Sequence, residues 1–238
     1  MKSNRIMQSK VYRFLDYLLR LILLNVLVVI PSFSFFIIYA SINKNSENPL
    51  IYLSLIPVFL WLFPSIVAAS NVIRQYETKD TNTIFKDFFK SLKKTYLKSI
   101  IFTVCIIICG FLLYNSFMFF VNYARNGAIH ILGLLLTISC IAIFIIIVIN
   151  IVLVMSYFTG LRMLEIVKLS IIMAFKDLLS NVLAMFVVLI FIMLDIILYV
   201  LMAFGGATIP IYLVIKLTFK KYIKVYRKVE EKWERELA

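Results

Sequence analysis

Charge is scarce in this sequence, and so are the side chains that carry most enzymatic chemistry. Only 16% of its 238 residues are charged, where a soluble domain has about 25%. Histidine occurs once, as His130, and no HExxH, GxSxG, phosphate-binding glycine loop or pair of intramembrane aspartates is present. No catalytic residue is therefore expected, and the polar loops are too short to hide an ATP-binding domain. The three cysteines, Cys105, Cys109 and Cys140, all fall inside apolar runs, which gives no disulfide framework. Neither a histidine nor an acid stands beside them, so neither metal nor cofactor is expected.

Apolar residues take up the room: 63% of the chain is hydrophobic and the mean hydropathy is +1.00. Runs such as LILLNVLVVIPSFSFFIIYA (21–40) and IHILGLLLTISCIAIFIIIVINIVLVM (129–155) are long enough to cross a hydrocarbon core of about 30 Å as helices. They do not alternate apolar with polar residues, as the strands of a membrane barrel would. The expected fold is all-α: a polytopic helical bundle forming one integral membrane domain over 1–238. Six spans fit, at roughly 18–40, 50–71, 100–121, 129–155, 182–204 and 207–222. The alternative is five, with 182–217 as one long helix. The first span reads as retained rather than cleaved, because it exceeds the 7–15 residues of a signal-peptide core and Tyr39 precedes the candidate site at Ala40-Ser41.

Basic residues favour six spans. With six, 23 of the 25 Lys and Arg fall on one side, and the other keeps only Lys44 and Arg125. Both termini are then cytoplasmic. The plan repeats as hairpin, short external turn and basic cytoplasmic helix, with an echo between FKDFFKS (85–91) and FKDLLSN (175–181).

The first of these basic segments, TIFKDFFKSLKKTYLKS (83–99), interleaves five lysines with four aromatics. As a helix it gathers Ile84, Phe85, Phe88, Phe89, Leu92 and Tyr96 on one face and spreads Lys86, Lys90, Lys93, Lys94 and Lys98 over the rest. Asn82 or Thr83 can cap it, and Asp87 suits its positive end. The pattern suits an amphipathic helix at the membrane–water interface, touching anionic lipid headgroups or a partner protein. Nucleic acid fits poorly, because base-stacking aromatics should project from the basic surface rather than segregate away from it. The charged tail at 220–238 is expected to be a solvated cytoplasmic helix, or else a coiled-coil-like contact.

Within the apolar runs, Asp195 is the sharpest polar residue. If the chain reverses at Gly205-Gly206, Asp195 and Lys216 both lie ten residues from the turn, about 15 Å at 1.5 Å per residue. An intramembrane ion pair between the last two helices follows. Such a pair can fix hairpin register or, less economically, line a polar route. Asn25, Asn115 and Asn150 are expected to hydrogen-bond between helices. Pro57 and Pro64 should bend the second span, and Pro64, Ser65, Ala68 and Ala69 form a helix-packing seam. Mid-span Trp61 should pack on another helix.

FLDYLLRLILLNVLVVI (14–30), FPSIVAASNVIRQ (63–75), IFKDFFKSLKKTYLKS (84–99) and SYFTGLRMLEIVKLSIIMAFKDLLSNVLAMF (156–186) together resemble the YesL-like family of bacterial membrane proteins, a family of unknown function. Asn25, Pro64, Ala68, Arg74, Asp87, Phe88, Phe89 and Lys93 stand at the matching positions. The chain departs from the pattern at Phe63, where the family has glycine, and at Thr95-Tyr96. The resemblance implies a non-enzymatic accessory or assembly protein of the cytoplasmic membrane, linked with a carbohydrate transporter or envelope system. The alternative is a small solute transporter or channel using Asp195 and Lys216. The solute, the partner and the oligomeric state are not written in the sequence.

Overall fold

The computed structural model describes residues 15–29, 56–78, 83–123, 127–198 and 205–237, and every regular element among them is a helix. In chain order these are α1 (15–29), α2 (Ile56–Thr78), α3 (Ile84–Tyr123), α4 (Ala128–Tyr157), α5 (Met163–Lys176), α6 (Leu178–Ile197) and α7 (Thr208–Leu237). The N-terminal segment, the end of the first expected span, the candidate cleavage site, Lys44 and Arg125 lie outside the described residues.

α4 is the axis of the bundle, packing against α2, α3, α5, α6 and α7. Its sequence explains why: it carries no charged residue, so it has no face that must stay in water. Burial is nevertheless one-sided along its length. Leu153, Val154 and Met155 sit in the core with Val67, Ala68, Val72 and Ile73 of α2, Phe88 of α3 and Ile215 and Tyr222 of α7. Toward the other end, α3 and α4 form a hairpin that is covered mainly by itself. There Phe111, Leu112, Leu132 and Leu136 are each more than 60% exposed. Phe120 crosses the hairpin against Gly133, where any Cβ would collide with its ring.

An apolar surface of this extent is foreign to a soluble monomer. Three helices, Ile84–Tyr123, Ala128–Tyr157 and Leu178–Ile197, are long and apolar enough to cross a membrane. In α7 the apolar part is shorter, Thr208–Thr218; those residues cover about half of a 30 Å core at 1.5 Å per residue.

Two expectations change, and one alternative falls. The single helix over 182–217 does not form: α6 stops at Ile197, and residues 205–207 are a turn before α7 begins. The basic segment 83–99 is not a separate helix. It is the first half of an unbroken 40-residue α3. No proline or glycine lies between Thr83 and Cys109 to break the hydrogen-bond ladder, so the helix propagates straight into the apolar run. The charged tail likewise has no boundary at 220, because α7 continues through it.

Local chemistry sets several of these ends. Before α3, the Thr83 hydroxyl donates to the Asp87 carboxylate (3.3 Å) while the Asp87 amide donates to the Thr83 carbonyl (3.0 Å). Glu165 accepts from the Arg162 amide at 2.7 Å to start α5, and the Ser180 hydroxyl donates to Asp177 at 2.8 Å at the start of α6. Lys98 donates to the carbonyls of Leu161 (2.7 Å) and Thr159 (3.4 Å). That places a cation just past the C-terminus of α4, where the helix dipole favours it.

Candidate functional site

α2, α4, α6 and α7 do not close completely on one another. Between them lies a cavity of about 510 Å³, walled by Leu62, Phe63 and Ile66 of α2, Val148, Ile149 and Val152 of α4, Val188, Phe191 and Ile192 of α6, and Pro210, Ile211 and Val214 of α7. Its size falls within the roughly 300–1,000 Å³ of small-molecule pockets. Two lining side chains carry oxygen, Ser70 and Asp195. The Ser70 hydroxyl is already committed to the Ile66 carbonyl at 2.8 Å. Asp195 stands in the last turn of α6 beside Gly206, and a methyl group at position 206 would collide with both carboxylate oxygens. Its Oδ1 is buried and accepts no hydrogen bond among the described residues.

The start of α7 would be the natural donor for that carboxylate, but its amides are taken. Asn25 of α1 accepts from the amides of Ala207 (3.0 Å) and Thr208 (3.3 Å), and the Thr208 hydroxyl donates to the Leu21 carbonyl (3.0 Å). Asn25 therefore does bond between helices, as expected of it.

The expected ion pair between Asp195 and Lys216 is not made. Because α6 ends at Ile197, Asp195 lies at the level of the turn rather than a symmetric ten residues below it. Lys216 is a further stretch of helix away and exposed, with its ammonium near the Tyr212 hydroxyl (3.4 Å) and over the Tyr212 ring. It does not line the cavity.

At the opposite end of the core, a chain of polar contacts crosses six helices. Asn71 donates to Ser91 (2.9 Å) and accepts from Arg74 (3.0 Å) and Gln75 (3.1 Å). The Arg74 guanidinium lies 5.2 Å over the Tyr157 ring, which stacks on Tyr222 at 5.0 Å. Tyr222 donates to Asn150 (2.7 Å), Asn150 to Asn181 (3.2 Å), and Asn181 to the carbonyls of Ala174 (2.7 Å) and Met173 (2.9 Å). Nearby, Arg20 lies 5.4 Å over the Tyr76 ring, and burial pushes the Tyr76 hydroxyl up to about 12 despite that cation, so it stays protonated at neutral pH. Asn150 meets the expectation of an interhelical bond. Asn115 does not, since it is exposed and donates to its own helix at the Phe111 carbonyl (2.7 Å).

Pro64, Ser65, Ala68 and Ala69, expected to form a helix-packing seam, are all buried. Trp61 is half-buried and packs against the core. Among the residues expected to touch lipid or a partner, Phe85, Phe89, Lys86, Lys90, Lys93 and Lys94 are exposed. Two are not available for that role. Phe88 is fully buried, and Lys98 is half-buried on the α4–α5 turn. Sequence reasoning missed Asn71, Tyr157, Asn181 and Tyr222. The signal for Asn71 and Asn181 was polarity inside or beside an apolar run; Tyr222, inside a lysine-rich tail, gave none.

These features define an all-helical protein with membrane-capable helices, an apolar cavity and no catalytic constellation among its described residues. Residues 18–117 match the model of a family described as "Protein of unknown function, DUF624", which is the YesL-like family that the sequence resembles. The match takes in most of α1, all of α2 and most of α3. The stretch 156–186 lies outside it. No curated protein and no solved structure matches the chain.

Proposed function

We propose that this chain is a non-enzymatic accessory or assembly protein of a bacterial cytoplasmic membrane. It crosses the bilayer six times with both termini cytoplasmic. The basic half of α3 is its contact with anionic lipid headgroups and with a membrane partner, such as a carbohydrate transporter.

One observation carries the reading: α3 changes character along a single rod. Its first half turns Phe88, Ser91, Leu92, Thr95 and Ser99 into the bundle and leaves Phe85, Lys86, Phe89, Lys90, Lys93, Lys94, Tyr96 and Leu97 uncovered. Its second half is apolar and mostly exposed. Lysines near an anionic leaflet contribute about 1 kcal/mol each, and exposed aromatics between them add area for a partner. The Lys98 and Lys221 contacts, to the α4–α5 turn and to the Met173 carbonyl, gather the basic segments at one end of the bundle.

Crosslinking capture from native membranes tests this with wild type and with a variant carrying Lys86, Lys90, Lys93 and Lys94→Gln and Phe85 and Phe89→Ala. The expected result is one stoichiometric membrane partner for wild type and its loss in the variant. The same partner recovered at equal yield with the variant would remove the basis for the reading. Solute transport is the second reading, favoured by Asp195 in the cavity wall. It requires flux through proteoliposomes of the pure protein that Asp195→Asn abolishes.

A further inference from the structure

We infer that the cavity between α2, α4, α6 and α7 is a binding site for a lipophilic cation, a hydrophobic molecule carrying one protonated amine that meets Asp195. The inference is independent of the accessory reading, since the cavity and the basic half of α3 share no residue.

Three observations converge on it. The walls are apolar over almost their whole area, so the body of the ligand must be hydrophobic. The Asp195 carboxylate is the one charged group among the lining residues, and its buried Oδ1 lacks a donor among the described residues. The amides of Ala207 and Thr208 at the start of α7 are also committed elsewhere, to Asn25.

Position 206 completes the argument. A side chain there would occupy the space of the carboxylate, and glycine leaves Asp195 seated at the end of the cavity. A buried carboxylate is stabilised by an opposite charge held in hydrogen-bond contact. A fatty acid or a phosphate-headed lipid would bring like charge to it, and a plain hydrocarbon would leave it unpaired.

The test uses the full chain in phosphatidylcholine vesicles with Trp233→Phe, which leaves Trp61, next to Leu62 and Phe63 of the cavity wall, as the single tryptophan. Three tail-brominated probes of matched length are titrated while Trp61 fluorescence is followed: bromododecylamine, bromododecanol and bromododecanoate. The amine is expected to quench saturably at a concentration about tenfold or more below the other two. Asp195→Asn should bring the amine to the level of the alcohol, and Val152→Phe, which narrows the cavity, should weaken saturable quenching by all three.

Amine and alcohol saturating alike in wild type would overturn the inference, making the cavity an acyl-chain slot. So would an amine preference that survives Asp195→Asn, or quenching unchanged in Val152→Phe, which would reflect partition into the bilayer alone. If Asp195→Asn fails to fold, the wild-type comparison and Val152→Phe still decide the matter.

Discussion

Single polar atoms hold the buried end of this molecule in register. Tyr222 is fully buried in a stretch of α7 that reads FKKYIKV, and its hydroxyl reaches Asn150 at 2.7 Å. Asn150 also donates to Asn181, so a lost phenol hydroxyl leaves an acceptor on Asn150 unfilled where water is excluded. Tyr222→Phe is therefore expected to destabilise the fold by about 0.6–2 kcal/mol, the range for interhelical hydrogen bonds in membranes. Denaturant unfolding in mixed micelles measures it, and an unchanged midpoint would mean that the hydroxyl is dispensable. Gly206 makes a second prediction of opposite origin. Gly206→Ala drives a methyl group into the Asp195 carboxylate and should cost about 1–3 kcal/mol as an overpacking strain. Gly160→Ala meets open space and should be near neutral. Adding Asp195→Ala to Gly206→Ala should restore most of the loss, and purely additive losses would show that the two sites are not in contact.

At the scale of elements, sequence pattern located the helices better than it oriented them. α4 spans Ala128–Tyr157 where the apolar run suggested 129–155, because an uninterrupted apolar run has few places to end. The basic segment was assigned the right secondary structure and the wrong relation to its neighbour. Its spacing shows which residues share a face, yet spacing carries no information on whether a helix stops at Ser99 or runs on. It also grouped Phe88 with Phe85 and Phe89, although the first is buried and the others exposed. What selects Phe88 is the position of α2, a tertiary fact: Asn71 of α2 bonds Ser91 on that same side of α3. The continuity of α3 is directly measurable. Spin labels at Lys86 and Leu112, both exposed, should lie about 39 Å apart on a straight helix at 1.5 Å per residue. A right-angle bend near Ser99, as an interfacial helix joined to a span would need, brings them to about 28 Å by the same rise. Pulsed dipolar spectroscopy in nanodiscs separates the two, and the shorter distance would return 83–99 to the membrane plane.

For the whole molecule, the distribution of polar groups along the bundle sets its direction. The contacts of Arg74 with Tyr157, Lys98 with Leu161 and Lys221 with Met173 draw the end of α2, the basic half of α3, the α4–α5 turn and the middle of α7 to one end. The opposite end carries Tyr123 against His130 at the tip of the α3–α4 hairpin. That segregation was legible in the sequence as the asymmetry of lysine and arginine. The cavity was not, because it is a gap left where four helices from different parts of the chain meet, and Asp195 was misassigned to Lys216 because the end of α6 was not marked by any breaker before Gly205. On the six-span reading proposed above, the polar end faces the cytosol, since positive charge is retained there during insertion. Single cysteines placed at Lys90, Ala128 and Lys224, all exposed, in a chain with Cys105, Cys109 and Cys140 changed to serine, report the direction. Intact cells treated with a membrane-impermeant thiol reagent should label the cysteine at 128 alone, and permeabilised cells should label all three. Labelling at both 90 and 224 from outside would invert the bundle, and labelling at one of these two but not the other would require an odd number of crossings between them. Wherever 90 is labelled from outside, the lysines of α3 would lose the anionic leaflet that gives them their proposed role.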